Sequence, residues 1–584
     1  MKKSLKYFMA VMTITAMIFT GCAANSNKQV DSDTDSTITG NTDTGSTVTD
    51  GTAGTVAAET AASSQVVLDT EFSAKDLEVG CEESTATDIT LKEGSIDVSG
   101  DGAAAKDSIV IISKEGTYVI TGTLKNGQIV VDAGDSDKVH IILNGVTVTY
   151  STNAPIYIKN ADKVFITLNE GTENVLTDGT DYVQSDDNNV DGVIFSKADL
   201  TINGDGSLDI TGNYKHGIVS KDDLIITGGT INVTAVKDAL NGKDCVKIKE
   251  GILTLNVTEG NGIQSKNGDD ATKGYVYIAG GDITVLNCEE GIEGTVILIE
   301  DGTINVTAKD DGLNAASGSS DTTDAAVPDT KAVKKNNEVN ETNLAVNPEK
   351  DTVNETAASA NQTTDAISGA TTNTEDGQKP GNPGDGNFNG DFGRGGFGGG
   401  GGAFEADADC YISIKGGTIH INASGDGIDS NGYLYISGGT TYVSGPTDNG
   451  NGALDYNGTA VITGGTVIAA GSTGMAQGFS DTSTQYSLLY NLTASSAAGT
   501  EVKLSDQSGN EMISYTPDKE YQSVVISTPE LEKDGTYTLT SGEQTAQIIL
   551  TSIATSNGQQ GMGGSGGHRG QPGQDGNTTE KTAP

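Results

Sequence analysis

The chain has 584 residues, a formal net charge of −46, 79 glycines, no tryptophan and a hydrophobic fraction of 34%. That charge excludes nucleic acid as a partner and adhesion to anionic membrane surfaces, and it makes divalent cations expected companions. The apolar fraction is too low for one large globular core and suits a repeat structure with unfolded tails.

The N-terminus reads as a targeting segment over residues 1–21, with a basic MKKSLK followed by the apolar YFMAVMTITAMIF. Phe19-Thr20-Gly21-Cys22 looks like a bacterial lipobox, which implies cleavage before Cys22 and lipidation of its thiol. The expectation is a secreted protein tethered to the cell membrane by lipid alone. Residues 22–64 are a Ser/Thr/Asp/Gly/Ala linker, and 65–107 are expected to form an N-terminal cap.

From residue 108 the apolar residues alternate, a period of two that marks strands. IVIIS, TYVITG, QIVVDA, VHIILNGVTVT, IYIKN and VFITLNEGTENVL lead into a strict repeat from His216. Its units start at His216, Asp238, Asn261, Glu290 and Asp311, at intervals of 22, 23, 29 and 21 residues, and resume at Asp426 and Asn451. Aligned on the Gly-Gly pair, each unit has three apolar sets. One contains Leu224, Val246, Val276, Ile297, Ile412 and Leu434, the second Ile231, Leu253, Ile283, Ile304 and Ile419. The shortest contains Ile218, Leu240, Ile263, Ile292, Leu313 and Ile428. Three strands per unit with glycine corners describe an all-β fold, a right-handed parallel β-helix of about eleven coils over 108–492. Residues 318–405 break the pattern and read as a disordered insert, 493–553 as a small antiparallel β module, and 554–584 as a low-complexity tail.

Stacking turns the aligned repeats into a map of surface columns. Lys197, Lys221, Lys243 and Lys266 share one position, a candidate strip for sugar carboxylates unless Asp222, Asp223 and Asp244 neutralise it. Glu289, Glu290, Glu293, Asp310, Asp311, Asp426 and Asp429 gather at one corner, and Asp238, Asn241, Asn261 and Gln264 continue it. Oxygen ligands in that number suit calcium; the alternative is a polar turn that merely avoids apolar residues. Tyr275/Tyr277, Tyr411 and Tyr433/Tyr435 are outward positions on three coils, with Tyr275, Tyr411 and Tyr433 in one register, and are candidates for stacking on sugar rings; the alternative is aromatic residues favoured on any β surface. Lys237, Lys266 and Lys309 border the acidic corner, where a β-elimination lyase would need an unprotonated base, and the carboxylates there disfavour that state. Cys81, Cys245, Cys288 and Cys410 show no metal or disulfide spacing and are expected as free thiols.

The DGI-x-S…L-x-I-x-GG-x-I-x-V coils, IYIKNADKVFITLNEGTENVLTDG and SYTPDKEYQSVVISTPEL together resemble a bacterial family of secreted carbohydrate-binding β-helix proteins similar to pectate lyases. The resemblance covers roughly 80–550. It implies a right-handed parallel β-helix, bound calcium and binding of acidic or plant cell-wall polysaccharide, without establishing lyase activity. The expected protein is a monomeric, calcium-dependent polysaccharide binder. The alternatives are a lyase using calcium and a Lys base, and a calcium-stabilised surface scaffold or adhesin.

Overall fold

The computed structural model describes residues 66–80, 85–318 and 405–558. The targeting segment, Cys22, the linker, Cys81, the bulk of the insert and most of the tail fall outside the described residues. Among those described, the regular elements are all strands.

The repeats dictate how the strands stack. Leu240–Gly242, Cys245–Ile248 and Ile252–Val257 make one unit, and Ile263–Ser265, Tyr275–Ile278 and Asp282–Cys288 make the next. Each strand pairs in parallel with its equivalent: Leu240 with Ile263, Val246 with Val276, Leu253 with Ile283. The same register carries upward through Ile292, Ile297 and Ile304 and then Leu313, Ile412 and Ile419. The inward columns are buried along the stack and form one continuous apolar core. A single unit could not bury this face; its neighbours above and below do. Between the second and third strands the chain turns through glycine at positive φ, as at Gly302 (φ 119°), where an added Cβ would lie 3.0 Å from the Gly281 carbonyl oxygen of the coil below. Only glycine lets the backbones stack that closely.

Antiparallel strands pair with both ends of the large parallel sheet, which shields its terminal coils. At the lower end Thr87–Lys92 pairs with Gly116–Lys125 and folds back onto Ser95–Ser99. At the upper end Tyr521–Ser527 runs antiparallel to both Ala460–Gly471 and Ser487–Ser496. Val502–Ser505, Glu511–Tyr515, Thr536–Ser541 and Gln544–Ile549 form a separate four-stranded antiparallel sheet. A lysine ties this module to the stack. The carbonyls of Ala235 and Ala308 accept from Thr258 N and Ser424 N one coil above. At that register above Ala423 stands Pro446, which has no N–H, and Lys519 Nζ donates to the Ala423 carbonyl instead. Burial pushes the Lys519 ammonium down to about 8.

Two boundaries differ from the sequence expectation. Of residues 65–107, only the part from Thr87 onward caps the end of the stack; residues 66–78 form a strap along the outer face of the middle-strand sheet. Asp76 anchors it, paired with Lys163 at 2.8 Å and accepting from Thr201 Oγ1 at 2.6 Å. Burial raises the Asp76 carboxyl, and hydrogen bonds from Lys163, Thr201 and Ser73 outweigh it and hold the group at about 2. The insert leaves after Leu313–Ala315 and returns before Tyr411–Ile414. It therefore departs from the corner that carries the lysine column and leaves the acidic corner intact.

Candidate functional site

The short first strand of each coil is preceded by a corner residue and carries one outward side chain at its centre. Rung hydrogen bonds stack the corners Asp238, Asn261, Glu290, Asp311 and Asp426 in order. The central residues pair as Asn241, Gln264, Glu293, Asn314, Asp429 and Asp455. Two polar columns thus run side by side.

At the upper end, carboxylate oxygens of Asp311, Asp426 and Asp429 lie within 4.8 Å of one another. Asp426 N donates to Asp311 Oδ1 at 2.6 Å, so the segments on either side of the insert are in contact. Burial, with the nearby Asp310 and Asp455 carboxylates, pushes Asp311 up to about 6. Burial and then Asp455 and Asp311 push Asp426 up to about 7, and burial with Asp311 and Asp426 takes Asp429 to about 8. Asn314, only 8% exposed, sits between Glu293 and Asp429 in the same column. Its Nδ2 donates to Glu290 Oε1 at 3.0 Å, whereas its buried Oδ1 has no hydrogen-bond partner. The orphaned Asn314 acceptor, paired in register with Asp429, and the three crowded carboxylates are oxygen donors of the type that calcium takes, and could hold such a cation.

One coil lower the balance changes. Glu293 is buried but accepts from Asn261 Nδ2 at 2.5 Å and Gln264 Nε2 at 2.7 Å, and it is ion-paired with Lys266. Glu290 has less support; burial and then Glu293 push it up to about 8. Lower still, Asn241 Nδ2 donates to Gln264 Oε1 at 2.9 Å and Asp238 Oδ2 at 2.7 Å. Burial raises Asp238, and His216, 3.2 Å away, outweighs it and holds the carboxyl below its ordinary value.

The seven acidic residues expected as ligands therefore sort into three groups. Asp311, Asp426 and Asp429 converge. Glu290 and Glu293 lie adjacent, engaged by amides and by Lys266. Asp310 is exposed, and Glu289 is turned outward and paired with Lys309 at 3.1 Å. Asn314 and Asp455 were not read from the sequence; the register of GLNA and ALDY against GIDS carries the signal for both.

The other expected residues are placed differently. The lysine column is dispersed by its partners. Lys197 Nζ donates to Asn188 Oδ1 at 2.8 Å, Lys221 lies 3.7 Å from Asp191 and over the Phe195 ring, Lys266 turns to Glu293, and Lys243 is exposed. Asp244 is held by Lys273 and Asn267 rather than by the column lysines. Asp199, Asp222 and Asp223 form a second close acidic group lining a cleft of about 510 Å³. Burial, then Asp244 and Asp199, push Asp222 up to about 7. Tyr275 and Tyr411 point away from the coil interior yet are 4% and 8% exposed, so neither is an open stacking surface. The strap and the neighbouring rings cover them; Tyr275 Oη donates to the Asp69 carbonyl at 2.5 Å. Tyr433 stays half-buried. The bases considered for elimination are all engaged: Lys237 with Glu259, Lys266 with Glu293, Lys309 with Glu289. Among the described residues Cys245, Cys288 and Cys410 are free and buried.

A family model described as carbohydrate-binding domain-containing protein matches residues 106–379. A carbohydrate-binding domain-containing protein of Acetivibrio thermocellus is 44% identical over 137 residues, 23% of this chain and 48% of that protein. The chain thus spans about half the length of the curated relative it matches. A solved structure described as the polysaccharide lyase-like protein from C. thermocellum, a gadolinium derivative, has 36% sequence identity and a TM-score of 0.37, covering 39% of this chain and 94% of its own.

Proposed function

We propose that this protein is an extracellular, lipid-anchored polysaccharide-binding protein that uses calcium at the acidic corner to hold carboxylated glycans. The observation that carries the reading is the convergence of Asp311, Asp426 and Asp429 beside the unsatisfied Asn314 Oδ1. Calcium bound there would supply positive charge and open coordination positions for a sugar carboxylate. That resolves how a chain of −46 can hold an acidic ligand. The protein's own groups orient the site: Asp426 N fixes Asp311, Gly452 N donates to Asp426 Oδ1 at 2.5 Å, and Asn314 Nδ2 is committed to Glu290. The similarity to carbohydrate-binding domain-containing proteins supports the ligand class. Coil-by-coil parallel pairing supports the fold reading, a right-handed parallel β-helix of about eleven coils. The lysine column expected for sugar carboxylates, Lys197, Lys221, Lys243 and Lys266, takes second place, because Lys221 and Lys266 are already engaged.

The test is retention of the mature chain on polygalacturonate with calcium, with chelator, and with Asp311, Asp426 and Asp429 all changed to Asn. Retention lost in both the chelated sample and the variant is the expected result. Retention that ignores both removes the corner from the binding reaction. Calcium-dependent melting without retention would leave a calcium-stabilised scaffold.

A further inference from the structure

The middle-strand sheet carries two outward columns beyond those of the acidic corner. One runs Cys245, Tyr275, Val296, Tyr411, Tyr433 and the other Lys247, Tyr277, Leu298, Ser413, Tyr435. The strap occupies the lower part of this face. Lys247, 2% exposed, donates to the Glu71 carbonyl at 2.9 Å and lies 5.8 Å from the Phe72 ring centre. Cys245 on the same strand, with Tyr275, Val296, Leu298 and Tyr411 above, forms a buried apolar floor. Tyr277, Tyr433 and Tyr435 pack on that floor while staying half-buried.

We propose that Tyr277, Tyr433 and Tyr435, bounded by Phe72 of the strap, form a second glycan site that stacks on neutral pyranose rings without a cation. The ring arrangement is seated rather than loose. Tyr433 and Tyr435 lie 6.1 Å apart with planes 17° from parallel, and Tyr411 meets Tyr435 edge-on at 6.2 Å. The Tyr433 ring rests on Gly458, where an added Cβ would come within 2.8 Å of two ring carbons. Phe72 lies 6.0 Å from Tyr277 and walls the lower end. Tyr277 and Tyr435 stand three rungs apart, about 14 Å at the ordinary strand spacing. That length accommodates an extended chain of a few sugars rather than a single ring.

Charge selects the occupant. Of the ionic groups beside the rings, Lys415 and Glu300 are paired with each other at 2.7 Å, and Lys247, one rung below Tyr277, is buried and engaged by Asp69 and the Glu71 carbonyl. An apolar aromatic floor with a compensated polar rim complements the C–H faces of equatorially substituted pyranoses, whose hydroxyls project from the ring edge. A uronate would find no free cation at this pair. The proposal rests on the carbohydrate reading above but not on its metal.

The chain lacks tryptophan, so its emission is that of its 18 tyrosines, and loss of the ligand-induced change in the Tyr277 and Tyr435 variants assigns that change to these rings. Xylohexaose is the probe, titrated in the presence of chelator. Tyr435→Ala and Tyr277→Ala are each expected to weaken binding about tenfold, the scale of one lost aromatic contact with its buried area. Tyr435→Leu, which keeps apolar cover over the floor, is expected to lose the same amount, and Tyr435→Phe to keep native affinity. Asp426→Asn/Asp429→Asn is expected to leave xylohexaose binding unchanged. No binding by the native chain, or equal binding by the Tyr435→Leu protein, overturns the platform. If polygalacturonate retention stays calcium-dependent in those cases, only the platform has failed. If xylohexaose binds through the tyrosines while polygalacturonate is not retained, the platform stands and the calcium site has failed.

Discussion

The central column of the short strands changes character halfway up the stack. In the lower half its outward residues run Ile111, Val130, Tyr157, Phe195 and Val219, and the last three are buried in a satellite apolar cluster with Ala154 and Val190. In the upper half the same position holds Asn241, Gln264, Glu293, Asn314, Asp429 and Asp455. Parallel pairing in register continues from one half into the other. The chain between Asp178 and Val190 makes the difference, because this excursion folds over the lower residues; Tyr182 packs on their cluster and Asn188 donates to Tyr157 Oη at 2.5 Å. Covered, the column becomes a second core. Left uncovered, it is free to hold polar ligands. One register position thus builds an apolar cluster at one end and a cluster of carboxylates and amides at the other.

The contrast is sharpest for substitutions. Phe195→Ala in the covered half should cost about 3–5 kcal/mol, the range for emptying a buried aromatic site, whereas Gln264→Ala in the open half should cost about 1 kcal/mol for a lost hydrogen bond. Chemical denaturation of both variants decides it, and equal costs would mean the two halves are not functionally divided. Calcium at a hundred times its Kd should raise the unfolding free energy by about 2.7 kcal/mol. Thermal melting should show that gain disappear when Asp311, Asp426 and Asp429 are changed to Asn, and persist in Phe195→Ala.

The open half should also set the pH response. Asp311, Asp426, Asp429 and Glu290 have folded values of about 6, 7, 8 and 8, above the unfolded carboxylate range. The cation-free folded state therefore binds more protons than the unfolded one between about pH 4 and 8, and stability must fall as pH rises through that window. Saturating calcium should flatten the slope by taking the place of the protons. A cation-free protein whose melting temperature rises from pH 5 to 8 would contradict the crowding of these groups. Lys266→Met should cost about 2 kcal/mol, between the values for exposed and buried pairs, because Glu293 keeps its two amide donors. Glu289→Gln, on the exposed rim, should change stability by about 0–1 kcal/mol in the same denaturation assay.

Most of the stacking was legible in the sequence. The triplets Leu224/Val246/Val276 and Ile218/Leu240/Ile263 pair as their spacing indicates, because in a parallel stack the repeat interval is itself the hydrogen-bond register. The same logic placed Glu293 and Asp429 in one column. What the interval could not give was cover. Whether Tyr275 meets solvent depends on a strap some two hundred residues earlier in the chain, and Lys266 abandons its column because a buried carboxylate lies within reach.

Local alternation, glycine corners and repeat length by themselves determined the strands, their register and the corner where acids gather, since each depends only on neighbours at a fixed interval. Tertiary structure alone decided that Asp311 and Asp426 meet across the insert, that Asn314 is left with an unpaired oxygen among them, and which tyrosines stay open. Those outcomes depend on burial, and burial is set by which distant segment lies on top.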